Sequence, residues 1–71
     1  EKPGDDLMYA LILKNLSDRQ ISIEKKLIEF IINRIDRSYG KISDFIYKID
    51  EISLKSKKPI DFKIIKEALG D

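Results

Sequence analysis

Arg34-Ile-Asp-Arg-Ser-Tyr-Gly-Lys-Ile-Ser-Asp-Phe-Ile-Tyr-Lys-Ile-Asp-Glu-Ile-Ser-Leu54 is the stretch whose reading decides the fold. Its apolar residues Ile42, Phe45, Ile46, Ile49 and Ile52 recur at spacings of three and four, so they form one stripe on an α-helix. Ser38 is placed to cap that helix, which is expected from Tyr39 to about Ser56, where Pro59 follows and prevents continuation. Gly40 falls in its first turn, at a cost of up to about 1 kcal/mol relative to alanine. Asp44–Lys48 and Glu51–Lys55 are spaced to pair on its wet side. Ahead of the stripe stand two arginines three residues apart, Arg34 and Arg37, at a helix junction.

The remaining segments read as cover for the stripe. A first helix is expected from about Asp6 to Ser17, capped by Asp5 or Asp6, with Leu7, Met8, Leu11, Ile12 and Leu16 on one face. It is unusually apolar, which fits packing on two sides or contact with another domain. Asp18-Arg19-Gln20 breaks the periodicity as a short connection. A second helix opens at Ile21-Ser22 with Ser22 as cap and ends near Asp36; Ile23, Leu27, Ile31 and Ile35 form one row, Ile28 and Ile32 the next, and Phe30 extends the face. A fourth helix is capped by Asp61, buries Phe62, Ile64, Ile65, Ala68 and Leu69, and ends at Gly70. Four helices joined by short turns make an all-α protein, a small four-helix bundle occupying residues 1–71 as a single domain.

Composition narrows the chemistry. Fourteen isoleucines and an apolar share of 42% suffice for a core in 71 residues. Fourteen basic against 13 acidic side chains leave a net charge of +1. Binding to nucleic acid needs clustered positive charge, so a dedicated surface for it is not expected. There is no cysteine and no histidine, which excludes disulfides, thiolate chemistry and histidine acid–base catalysis by this chain. A reducing, cytoplasmic location is compatible with that usage. No apolar run approaches the roughly 18–20 residues that cross a bilayer, so no membrane association is expected. The chain starts at Glu1 rather than methionine, and is read as a piece of a longer protein.

Catalytic and metal-binding residues are not found. The adjacent acids Asp5/Asp6 and Asp50/Glu51 point about 100° apart on a helix and do not form a dyad. No glycine-rich phosphate loop is present. Lys55, Lys57 and Lys58 suit the C-terminal end of a helix dipole. Arg34 and Arg37 are the candidates for anion binding, sharing a face if the helix continues, because a guanidinium makes bidentate contact with phosphate or carboxylate. The plainer alternative is a surface ion pair of Arg37 with Asp36 or Asp44.

Several of these segments, taken in order, resemble a known family. Asp18-Arg19-Gln20, the second helix, Arg34-Ile-Asp-Arg-Ser-Tyr39, Lys58-Pro-Ile-Asp61 and Lys66-Glu-Ala-Leu69 are similar to the helical lid subdomain of the DnaA branch of AAA+ ATPases. The likeness runs from about Pro3 to Leu69, and within the branch is closest to the Hda-type regulator of replication initiation. It implies an upstream AAA+ core with a P-loop, and ATP or ADP bound where lid meets core. The replication initiator DnaA and the sliding clamp are the implied partners. In the family an arginine near the start of the third lid helix, the sensor-2 residue, contacts the nucleotide phosphates. Here Gly40 holds that slot, and Arg37, about one turn earlier, is the substitute candidate, with Arg34 the weaker one. Loss of the family arginine suits a protein that binds nucleotide but hydrolyses it poorly.

Two other readings stay open. A DNA-binding module would use the third helix, with Lys41, Lys48 and Lys55, although Asp44, Asp50 and Glu51 are interleaved with them. A helical interaction module would dimerise through the apolar first helix.

Overall fold

The stripe on the long third helix is buried as its spacing requires: Ile42, Ile46 and Ile49 are almost completely dry, Phe45 is buried beside them, and Ile52 is half-buried. The computed structural model describes residues 3–70; residues 1, 2 and 71 of the expected domain lie outside the described residues. Among the described residues there are four helices, α1 (Asp5–Asp18), α2 (Lys25–Arg34), α3 (Tyr39–Ser56) and α4 (Phe62–Leu69), and no strand. The chain is an all-α four-helix bundle. No helix in it is long and apolar enough to cross a membrane.

Each of the four helices packs on two others. α3 lies between α1 and α4, α1 also packs on α2, and α2 also meets α4. The backbones of α2 and α3 are not neighbours, although the two helices are consecutive in the chain. α1 contributes the row Met8, Ile12 and Leu16 to the common core; α2 contributes Leu27, Ile28, Ile31 and Ile32, and α4 contributes Ile64, Ile65 and Ala68. The described core contains no buried polar side chain.

The helix ends show where local rules held and where packing overrode them. Asp61 caps α4 as expected, its Oδ1 accepting from the Ile64 N–H at 3.0 Å. Gly70 closes α4 with φ at 86°, the left-handed region that glycine enters without a Cβ clash. Ser38 occupies the cap position of α3, but its hydroxyl makes no cap hydrogen bond. Gly4 is the N-cap of α1, its carbonyl accepting from the Met8 N–H at 2.9 Å; Asp5 and Asp6 lie inside the first turn instead of capping it.

The second helix differs most from the expectation. Its N-cap is Glu24, not Ser22: residues 21–23 lie outside the helix, and Glu24 itself is extended at φ −68° and ψ 149°. Alternation along that segment lets Ile21 and Ile23 both pack on the core while Ser22 stays exposed. α2 also ends at Arg34, short of Asp36, with Ile35 extended at φ −91° and ψ 151°. The chain must leave α2 there to reach α3, which is not its neighbour.

The Asp18-Arg19-Gln20 turn closes α1 in a Schellman arrangement. The Ile21 N–H donates to the Leu16 carbonyl at 2.8 Å and the Gln20 N–H to the Ser17 carbonyl at 2.9 Å. Gln20 takes the left-handed position at φ 59°, where glycine is usual.

Two side chains are more exposed than expected, and a third large apolar one, in α1, is exposed as well. Leu7 on α1 is 44% exposed and Phe62 on α4 is 47% exposed, so neither is core; Leu13 is 49% exposed. The pairs Asp44–Lys48 and Glu51–Lys55 are not among the ion pairs of the described residues. Lys14–Asp18, Arg19–Asp50, Lys26–Glu24 and Arg37–Asp5 are.

Replacing Ile46, which is fully dry, with alanine is expected to cost about 2–5 kcal/mol in urea denaturation. A chain of this size holds roughly 4–11 kcal/mol in all, so the variant loses a large share of its stability and its urea midpoint falls accordingly. Leu54→Ala, at a residue 70% exposed, is expected to stay within about 0.5 kcal/mol of the parent.

Candidate functional site

The connection between α2 and α3 carries the candidate residues, and the helix break at Ile35 separates them. Arg34 and Arg37 do not share a helix face, because the helix that would align them ends at Arg34. Arg34 turns toward the α2–α4 seam, its guanidinium carbon 4.8 Å from the centre of the Phe30 ring. Phe30 packs in turn on Phe62, with ring centres 4.7 Å apart and tilted by 59°. The Lys66 ammonium lies 5.5 Å from the Phe62 ring. Two cations thus flank an aromatic pair that joins α2 to α4. That arrangement accounts for the half-exposed Phe62 and gives Arg34 a structural setting.

Arg37 turns the other way, toward the start of α1. One of its terminal nitrogens donates to the Pro3 carbonyl at 3.1 Å, and the other donates to Asp5 Oδ1. Its side chain is 33% exposed and that of Asp5 is 70% exposed. The partner of Arg37 is therefore Asp5, not Asp36 or Asp44 as the local spacing suggested. Nothing near Arg37 in the chain could have revealed it, since the two residues are 32 positions apart.

A second guanidinium acts at the opposite end of α1. Arg19 donates to Asp50 Oδ2 at 2.9 Å and stands 5.1 Å from the centre of the Tyr47 ring. With Arg37 beside the start of α3 and Asp50 near its far end, the two contacts show that α1 and α3 run in the same direction. Arg19 thus has a structural partner in the bundle, which its place in a short polar turn did not foretell.

Gly40, one turn beyond Arg37 in α3, is exposed, and an added Cβ would meet no atom within 4 Å. Its φ is not in the left-handed region. Neither space nor backbone conformation therefore demands glycine here, and a longer side chain at this slot would stand in open solvent.

The surface between α1 and α2 differs in character. It is an open cleft of about 570 Å³ lined by Asp5, Asp6, Tyr9, Lys25, Glu29, Ile32 and Asn33. Three carboxylates against one ammonium make it unfavourable for a phosphate. Among the described residues no group of three or more acidic side chains is arranged to hold a metal ion.

Taken together, the opening of α3 offers one half-buried guanidinium, already hydrogen-bonded, beside an open helical surface at Gly40. That is suitable chemistry for an anion, provided that Asp5 and the Pro3 carbonyl give way. No hydroxyl, thiol or imidazole is activated there for catalysis.

Comparison with known proteins gives one result. A family model described as "Hda, lid domain" matches residues 5–69, nearly the whole chain. No curated protein and no solved structure matches.

If glycine is not structurally required at position 40, Gly40→Ala should stabilise the chain. The expected gain is a few tenths of a kcal/mol up to about 1 kcal/mol, read as a higher urea midpoint with unchanged slope.

Proposed function

The chain belongs to the Hda lid-domain family, and from that we propose that it is the helical lid of a DnaA-related AAA+ regulator of chromosome replication. In this reading it packs beside a P-loop core and helps to close over ATP or ADP, with no catalysis of its own. The observation that carries the reading is the family match over residues 5–69, with Arg37 and Gly40 both at the opening of α3. The initiator DnaA and the sliding clamp are the partners this assignment brings with it, and the cytoplasm is the compartment.

Arg37 is the residue of this chain that would hold the nucleotide phosphates. A phosphate chain supplies concentrated negative charge, and a guanidinium meets it with parallel N–H donors. Gly40 cannot contribute a side chain, so any grip on phosphate from this part of the lid falls to a single arginine. Such a lid closes on nucleotide more weakly than one carrying the family arginine. That suits a regulator that holds nucleotide and hydrolyses it slowly. Arg34 is the lesser candidate, because its guanidinium already lies over Phe30.

The exposed Leu7 and Leu13 of α1 offer a surface for the core domain or for a second copy of the chain. A mass that rises with concentration in light scattering would assign it to a second copy; a constant monomer mass would leave it to the core.

The nucleotide role is tested in a protein that carries this lid together with its core. Arg37→Ala should weaken ADP about tenfold or more in a calorimetric titration, as expected for loss of a charge-assisted hydrogen bond. An unchanged affinity removes Arg37 from the nucleotide site.

A further inference from the structure

We propose that Asp5 is the positioning partner of Arg37 and competes with phosphate for it, so that an anion bound at Arg37 releases Asp5 in the first turn of α1. The proposal rests on the reading of Arg37 as the phosphate contact and adds to it what that contact displaces. Both terminal nitrogens of Arg37 are engaged, one by Asp5 Oδ1 and one by the Pro3 carbonyl. A guanidinium keeps further N–H donors, so the conflict is one of charge: the Asp5 carboxylate neutralises the same cation and repels a phosphate brought to it, and each weakens the other.

The two ends of the contact are unequally anchored. Arg37 is two-thirds shielded, on a connection pinned by α2 and α3, whereas the Asp5 side chain is 70% exposed at the start of α1. An exposed ion pair of this kind is weak enough to exchange. Beyond Asp5, the first buried side chain of α1 is Met8. The turn before it is held by burial of Pro3, by the helix's own backbone bonds, by the Gly4 carbonyl bond to the Met8 N–H and by the Arg37 contacts. Surrender of Arg37 therefore removes the side-chain tether of the exposed Asp5 and leaves the buried Pro3 and the core row Met8, Ile12 and Leu16 in place. The point at which the chain enters α1 becomes sensitive to occupancy of the anion site.

Inorganic pyrophosphate titrated into the 71-residue chain, followed by NMR, tests this. The Arg37 Nε–H and the amides of Asp5, Asp6 and Leu7 should shift together with one midpoint. Asp5→Asn should tighten pyrophosphate roughly three- to fivefold, the range open to an exposed ion pair. Asp6→Asn removes the same charge one residue away from a side chain that Arg37 does not touch, and should change the affinity by much less. Equal effects of the two substitutions, or none from Asp5→Asn, would overturn the competition while leaving Arg37 as the phosphate contact. Pyrophosphate binding that survives Arg37→Gln would overturn the phosphate reading, and the competition with it. Asp5 is exposed, so its variant should fold; an unchanged amide spectrum away from α1 confirms that before the affinities are compared.

Discussion

Ile42, Ile46 and Ile49 of α3 must be kept from water together, and one neighbouring helix cannot cover them all. α1 covers one side with Met8, Ile12 and Leu16, and α4 covers the other with Ile65 at its centre. α2 then closes the ring between α1 and α4, using Ile28 and Ile31. Because α2 and α3 end up across the core from one another, the chain between them cannot be a tight helical hairpin. It leaves α2 early, at Arg34, and crosses the end of the bundle through bends at Ile35 and Arg37, with the Ser38 N–H donating to the Asp36 carbonyl at 2.9 Å. That crossing carries Arg37 to the start of α1 and leaves Arg34 at the α2–α4 seam. The position of the candidate site is thus a consequence of how the core is covered.

The two guanidinium contacts on α1 have a different physical character from that core. Arg37–Asp5 and Arg19–Asp50 are partly or largely exposed, and each contributes little to stability on its own. Their effect is on alignment: they fasten α1 to α3 at both ends and keep the two helices in register. A contact that is weak but specific is also one that a ligand can replace. In the proposed role, that is the property the Arg37 end of the bundle would bring to a lid.

Much of the fold was legible because isoleucine spacing speaks for itself. The α3 stripe, the limits Tyr39 and Ser56, and the Asp61 and Gly70 ends all follow from periodicity and cap chemistry. What local rules missed has common physical causes. Ser22 is a better cap than Glu24 in isolation, but Ile21 and Ile23 on either side of it both pack on the core, and the helix starts after them. Gln20 closes α1 in a position where glycine would be the usual signal. Phe62 looked like core because it is apolar, yet it is the opening residue of a short helix and meets Phe30 at a partly open seam. At the candidate site, Arg37 stood out by residue type, one turn before the Gly40 that holds the family slot. Its partner Asp5 was not, since only the tertiary fold brings the two together.

On the proposed reading, the Arg37 end of the bundle is the end that answers to nucleotide. Amide hydrogen exchange measures this most directly, in a protein carrying this lid and its core, compared with and without ADP. The expected result is a change in protection confined to the first turn of α1 and to the connection from Ile35 to Lys41, with the α3–α4 turn at Lys57 and Lys58 unaffected. A change centred on that lysine-bearing turn, or none anywhere in the chain, would contradict that reading.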